Sequence, residues 1–308
     1  MVSRKSLVVG TPEGNQRHVT RTLVVGSSGM LGRDLLGVLG EVSAVGLSRE
    51  DLDITDASAA ITACEGFDVV VNCAAYTAVD EAESHKESAF TVNHTGARNL
   101  ARAAHQSGAT LIQISTDYVF DGTSTTPYRV DAPTNPLSVY GASKLAGEHA
   151  VFEENPDSSI IVRTSWLYGQ HGTSFPRSIL TAGRDREYLE VVDDQVGQPT
   201  WTRDVAKMLD QLIGAKVHSG IFHATNEGRA SWFEFAQKLF DLAGWDSGRV
   251  LPTKTALSPR PAHRPAWSVL DHSEWKNHGL QSPRSWDVAL NDAWQSGLSA
   301  FATPESKS

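Results

Sequence analysis

From Arg21 onward, short apolar runs alternate with segments of helical period. T-L-V-V-G (22–26), V-S-A-V-G-L (42–47), D-V-V-V-N (68–72), T-L-I-Q-I-S (110–115) and S-I-I-V-R-T (159–164) read as strands. Between them, 29–39 is helical, with Leu31, Leu35, Leu36, Val38 and Leu39 clustered at helical spacing, and 56–65 is a short helix with Thr55 or Asp56 as its N-cap. A long helical stretch runs from about 80 to 106 and ends at Gly108, and another helix covers about 139 to 154. This rhythm predicts an α/β fold, a Rossmann-type doubly wound parallel sheet with ligand sites at the strand C-termini. After about Gly169 the rhythm breaks and tryptophan and proline become frequent, which suits a smaller C-terminal substrate-binding lobe. The expected organisation is an N-terminal extension over 1–20, a dinucleotide-binding domain over 21–170 to which segments near 200–225 return, and the second lobe mainly over 171–308.

The run L-V-V-G occurs twice, at 7–10 and at 23–26. The first copy leads into Thr11-Pro12-Glu13-Gly14-Asn15, a turn with no helix behind it. The second leads into G-S-S-G-M-L-G (26–32), a G-x-x-G-x-x-G between a strand and a helix. There Gly26 permits the tight turn, Gly29 lets backbone approach a pyrophosphate, and Gly32 allows close helix–sheet packing, while the helix N-terminus offers N–H groups and partial positive charge. At the end of the second strand, where a carboxylate commonly meets the ribose of NAD, the chain has Leu47-Ser48-Arg49. Ser48 and Arg49 suit a 2′-phosphate and favour NADPH, with NADH as the alternative; the bland reading has Arg49 pairing with Glu50 and Asp51. Asp53, in L-D-I-T-D, has the bland reading of a turn residue.

V-Y-G-A-S-K-L-A-G-E contains Tyr140-x-x-x-Lys144, a spacing that puts both side chains on one helix face. A carbonyl reduction needs a proton donor beside the carbonyl, and a neighbouring ammonium is expected to lower the phenol's pKa. Lys144 is also placed to hold nicotinamide ribose hydroxyls. Upstream, I-S-T-D-Y-V-F-D-G (114–122) closes a predicted strand, where Thr116 would hydrogen-bond the substrate oxygen and complete a Thr/Tyr/Lys set.

The formal net charge of −9 argues against nucleic acid or an anionic membrane as the main partner, so a phosphorylated ligand must be met by local arginines and helix N-termini. No apolar run approaches the roughly 20 residues that span a bilayer, and the four-residue apolar stretch near the start is too short for a signal-peptide core. The 2 cysteines, Cys64 and Cys73, cannot form a disulfide framework and read as reduced thiols of a cytoplasmic protein. The histidines offer no ligand cluster, and no metal is expected.

The glycine spacing is that of extended short-chain dehydrogenase/reductases, and the motifs together resemble the dTDP-4-dehydrorhamnose reductase family. Besides those quoted, the resemblance rests on N-C-A-A-Y-T-A-V-D-E-A-E (72–83), R-T-S-W-L-Y-G (163–169), D-Q-V-G-Q-P-T (194–200), S-W-F-E-F-A (231–236) and R-P-A-W-S-V-L-D (264–271). It implies NADPH-dependent reduction of the C4 keto group of a dTDP-linked 6-deoxy-4-ketohexose, the last step to dTDP-L-rhamnose. By the same resemblance, Gly26, Gly29, Met30, Leu31 and Gly32 hold the pyrophosphate, Asp53 and Ile54 flank the adenine, and Ala74, Ala75 and Tyr76 line the cofactor. Thr116, Tyr140 and Lys144 are catalytic. Asp117 lies near the substrate, Trp166 faces the sugar, and Arg264 meets the diphosphate. Three departures stand out: Trp267 where asparagine is usual, Ser174-Phe175 where Asn-Phe is usual, and Arg203 against Asp34 where some relatives bridge a dimer through a metal.

Two other readings stay open. One is a non-catalytic NADP-binding regulatory subunit of the methionine adenosyltransferase beta type; the other is a nucleotide-sugar epimerase or epimerase/reductase. A monomer or homodimer is expected, and residues 1–20 fit a linker or remnant, since some relatives are fused to the 3,5-epimerase of the same pathway. Deleting residues 1–20 is expected to leave NADPH affinity intact by fluorescence titration; a large loss would mean that the first L-V-V-G packs on the sheet.

Overall fold

The computed structural model describes residues 19–215 and 217–303; the first L-V-V-G lies outside them. A six-stranded parallel sheet is built from β1 (Thr22–Val25), β2 (Ala44–Leu47), β3 (Val69–Asn72), β4 (Thr110–Thr116), β5 (Ser159–Thr164) and the strand Gly220–His223. In space the order is Gly220–His223, β5, β4, β3, β1, β2, so the first described strand is interior to the sheet, with later strands added on both sides of it. Val25 pairs with Leu47 and Asn72, and Thr116 pairs with Thr164, which aligns the carboxyl ends of the strands along one edge.

Alternation along each strand sorts side chains to two faces. Val24, Val71, Ile112, Ile160 and Phe222 face a layer holding α1 (Met30–Leu39) and the helix Thr202–Gly214. Leu23, Val25, Val70, Leu111 and Ile161 face α2 (Ala57–Cys64) and the alanine-rich helix Ala97–Ser107. Asp56 caps α2 by accepting from the Ser58 and Ala59 N–H groups, at 2.8 and 3.1 Å. The Thr202 hydroxyl bonds the Asp34 carboxylate, joining the two helices of the first layer.

Two elements differ from the sequence expectation. The second strand begins at Ala44, because Gly40 (φ +77°) ends α1 and the chain turns through Glu41–Ser43, leaving Val42 exposed. The long helix over 80–106 is four pieces: Val79–Ala82, Lys86–Phe90, a π-helical turn Thr91–Gly96, and Ala97–Ser107. The π-turn brings Asn93 into the interior, and Gly96 provides the space in which the Ile54 side chain sits.

The second lobe packs the helices Phe175–Asp185, Trp232–Leu242 and Trp286–Gln295 around Tyr168, Leu180, Phe235, Leu239 and Leu290. Its middle helix starts with a capping box in which Ser231 and Glu234 bond each other's backbone N–H groups at 3.0 and 2.7 Å.

The helix Val139–Glu154, called α3 below, is tied to the sheet by a buried ion pair. Glu148 meets Arg163 of β5 at 2.7 Å, with each side chain 3% exposed, and also accepts from the Ser115 hydroxyl of β4. Removing one partner leaves a buried charge uncompensated, at a cost of about 3–5 kcal/mol. Glu148→Ala is therefore expected to lower unfolding stability by that amount in urea titration, and the double variant Glu148→Met/Arg163→Met to recover most of the loss.

Candidate functional site

Four segments converge at the carboxyl edge of the sheet: the turn after β1, the loop after β3, the end of β4, and the first turns of α3. The turn after β1 depends on backbone approaches that only glycine allows. Gly26 has φ +77°, and a Cβ there would stand 2.7 Å from the Ala74 nitrogen. A Cβ on Gly32 would stand 2.5 Å from the Gly26 carbonyl oxygen. The Gly26 and Ser27 N–H groups both donate to the Leu47 carbonyl, fixing the turn to the end of β2. No side chain caps α1 at Gly29 and no acidic residue lies in its first turn, so the first-turn N–H groups of this helix end meet no side-chain acceptor beside its positive dipole. Uncapped donors in a cradle that a Cβ would fill fit a dinucleotide pyrophosphate.

At the end of β2 the Ser48 hydroxyl is committed to Asp51 at 2.6 Å, while Arg49 is exposed and makes no ion pair with Glu50 or Asp51. Asp53 accepts from the Thr55 N–H and hydroxyl at 2.9 and 2.8 Å and so serves the turn, and these bonds hold its carboxyl below the usual carboxylate range. The Ile54 side chain is buried in the core. After β3, Ala74, Ala75 and Tyr76 are half-buried beside Gly26. Their backbone is held by Asn72, which accepts from the Ala74 N–H at 3.0 Å, and by Asn93, whose amide bonds both the N–H and the carbonyl of Tyr76 at 2.8 and 3.1 Å. Asn93 also donates to Ser143 of α3 at 2.9 Å.

α3 starts at Ser138, whose hydroxyl accepts from the Gly141 N–H, and Glu83 accepts from the Val139 N–H at 2.9 Å. Gly141 and Gly147 let it lie directly on the carbonyls of Tyr118 and Asn93, where a Cβ would come within 2.2 Å. This seats Tyr140 and Lys144 against the end of β4. Lys144 is buried, and its Nζ donates to the Ile114 carbonyl at 2.6 Å. Burial pushes its pKa down to about 8, against the opposing pull of Glu148 and Cys73. Tyr140 is hydrogen-bonded with Thr116, and its ring meets Tyr118 edge-on at 5.6 Å. Burial pushes the phenol up to about 12. This corrects the expectation of a lowered value: desolvation, helped by the nearby Asp117 carboxylate, outweighs the Thr116 bond. The phenol is a protonated donor at neutral pH.

Thr116 donates to Asp117 at 3.0 Å and accepts from the Tyr118 N–H at 3.2 Å. Asp117 is 2% exposed, and burial raises it to about 6, with hydrogen bonds from Ser268 and Thr116 pulling the other way. Arg264 pairs with Asp80 at 2.9 Å and lies 6.0 Å over the Tyr118 ring, so it belongs to the same cluster as Tyr140. Trp166, two residues past β5, is half-buried with its ring stacked on Trp232. Of the departures, Trp267 donates to the Thr126 carbonyl at 3.0 Å and lines a separate cavity of about 580 Å³ with Arg229, Val269 and His272, while Ser268 beside it reaches Asp117. Ser174 is buried at the start of its helix without a hydrogen-bond partner for its hydroxyl.

Asn93, Ser268, Asp80 and Trp232 are site residues that motif reading missed. Asn93 left a trace in the sequence, as an amide two residues before T-G inside an otherwise helical stretch; the other three lie in quoted stretches, but only tertiary contacts show what they touch.

A glycine turn and a Tyr-x-x-x-Lys helix side by side at the carboxyl edge of a Rossmann-type sheet define an oxidoreductase of the short-chain dehydrogenase/reductase class. Residues 20–298 match the model of the RmlD substrate binding domain, and the chain belongs to that family. It is 48% identical over 282 residues to the dTDP-4-dehydrorhamnose reductase of Streptomyces griseus, covering 89% of this chain and 93% of the relative. It is 44% identical over 280 residues to the dTDP-4-keto-6-deoxy-D-glucose reductase of Streptomyces niveus, covering 89% and 96%. Among solved structures, the Bacillus anthracis dTDP-4-dehydrorhamnose reductase in complex with NADP superposes with a TM-score of 0.86 at 36% identity, covering 90% of this chain and 99% of that one. Among the described residues no helix is long and apolar enough to cross a membrane.

Because the Gly32 clash is with backbone, Gly32→Ala must displace the turn or α1. The variant is expected to lower dinucleotide affinity at least about 10-fold in fluorescence titration, with a destabilisation of about 1–3 kcal/mol typical of overpacking. Unchanged affinity would detach the turn from ligand binding.

Proposed function

We propose that this chain is an NADPH-dependent reductase of the C4 keto group of dTDP-4-dehydro-L-rhamnose, forming dTDP-L-rhamnose. The observation that carries this reading is the convergence of the uncapped glycine turn with Thr116, Tyr140 and Lys144, in a chain 48% identical to a dTDP-4-dehydrorhamnose reductase.

NADPH, when bound, supplies the hydride for the carbonyl carbon. The residues that would hold it are Gly26, Gly29, Met30, Leu31 and Gly32 at the diphosphate, Arg49 at the 2′-phosphate with Ser48 positioned by Asp51, Asp53 and Ile54 at the adenine, and Ala74–Tyr76 toward the nicotinamide. Tyr140 gives its proton to the carbonyl oxygen. Lys144, anchored by one donor to the Ile114 carbonyl, keeps its other donors for ribose hydroxyls and stabilises the phenolate left behind. Thr116 directs the phenol through their hydrogen bond, with its own proton held by Asp117. Trp166 offers an aromatic surface to the sugar, and Arg264 a guanidinium to the diphosphate.

The test is NADPH oxidation with dTDP-4-dehydro-L-rhamnose and product stereochemistry by NMR. Turnover to the L-rhamno product is expected, with Tyr140→Phe slower by on the order of 10²-fold or more and NADPH binding retained. Since kcat/KM reports free-enzyme groups, its alkaline limb is expected near pH 8, where Lys144 loses its proton. A folded protein with no turnover would sink the reading.

A further inference from the structure

Among the described residues Trp166 is the only non-glycine with positive φ, at +46°. An indole in the left-handed region is held there by its surroundings, and such strain points to a constraint worth explaining. Three contacts supply it. The ring lies parallel to Trp232, with centroids 3.5 Å apart and planes 8° from parallel. Its edge lies on Gly197, where a Cβ would come within 2.5 Å of Trp166 Cε2. Its carbonyl accepts from the Thr200 N–H at 3.2 Å.

The backing is built from the second lobe. Gly197 pairs with Ala230, and Val196 with Ser231, the residue before Trp232. The capping box at Ser231 and Glu234 fixes where the helix begins, and the Phe175 ring packs on Trp232, tilted, at 4.5 Å. Trp166 is thus the terminal ring of a column, with one face covered by Trp232. The same missing Cβ on Gly197 would lie 2.8 Å from the hydroxyl of Ser268, a residue close enough to Asp117 to influence its pKa. The column and the Thr116–Asp117 pair therefore share one point of close approach.

We propose that Trp232 is a specificity-determining positioning residue that makes Trp166 a fixed indole plate selecting a 6-deoxyhexose ring. The inference rests on the reading above and deepens it. A 6-deoxyhexose presents C–H groups and a methyl that pack on a flat ring, whereas a 6-hydroxyl at the same place must be desolvated.

The test compares wild type with Trp232→Ala, Trp232→Phe and Gly197→Ala. The readouts are KM and kcat for the keto-sugar, KM for NADPH, melting temperature, and the exciton couplet of the stacked indoles in circular dichroism. Trp232→Ala is expected to abolish the couplet, raise the sugar KM about 10-fold, consistent with the loss of one aromatic pair contact, and leave the NADPH KM within about twofold. Trp232→Phe should restore much of the sugar KM. Should Trp232→Ala fail to fold, Gly197→Ala, which displaces Trp166 and leaves Trp232 in place, is expected to raise the sugar KM likewise. An unchanged sugar KM in the folded variants, or an equal rise in both KM values with a lower melting temperature, overturns the proposal. Titrating wild type with dTDP-L-rhamnose separates the two readings. A couplet that changes without any catalytic turnover supports the plate and rejects the reductase, and a couplet that does not change rejects the plate whether or not turnover occurs.

Discussion

The bond from Lys144 Nζ to the Ile114 carbonyl is the constraint on which the site depends. An ammonium removed from water is costly unless its donors are met, and here the carbonyl lies two residues before the end of β4. To reach it, α3 must press flat on the sheet edge. Gly141 and Gly147 allow that approach, and the Glu148–Arg163 pair one turn further along holds it. The Gln113 amide also donates to the Ile114 carbonyl, at 2.8 Å, and its oxygen accepts from Asn72, so β3, β4 and α3 share one polar junction. A carbonyl that accepts from both an ammonium and an amide cannot shift without leaving a buried donor unmet.

That junction explains why the reacting groups are so sharply placed while the wider sugar side is assembled from distant segments. Thr116 is the last residue of β4, and Asp117 starts the next turn, so their positions follow from the sheet. Ser268 and Arg264 arrive from a C-terminal segment that crosses back over the first lobe, pairing at Tyr128–Leu270 and Val196–Trp267. The segment thereby couples the second lobe to the carboxyl end of β4.

The strand and helix rhythm of the first lobe was readable because each strand is a nearly continuous apolar run and several helices carry a cap or glycine stop, as at Gly40, Asp56, Gly108 and Ser138. The Tyr140/Lys144 face was readable because helical spacing alone brings residues four apart together. The π-turn was not, since no local propensity marks it and what stabilises it is Asn93 bonding to Tyr76 and Ser143 from two other elements. Tyr140's raised pKa escaped the sequence for a similar reason. A charge neighbour is visible in a motif, whereas desolvation depends on everything packed above it. Trp232 shows the same limit: S-W-F-E-F-A reads as an amphipathic helix start, and nothing in it indicates that the tryptophan lies flat on Trp166.

Net negative charge and a doubly phosphorylated ligand are reconciled locally rather than globally. Arg264 is not a free cation awaiting an anion, because Asp80 holds it at 2.9 Å and approaches Arg260 at 3.7 Å. The pair keeps the guanidinium on the Tyr118 ring and spares the ligand-free site an isolated positive charge. On the proposed reading, a diphosphate entering here either joins the pair through the guanidinium donors that Asp80 leaves open or takes the arginine from it. In both cases the arginine is oriented before the ligand arrives, so less ordering remains to be done on binding. The negative surface lowers nonspecific attraction for anions generally, so on the proposed reading selection falls to the helix end and to the arginine that Asp80 orients.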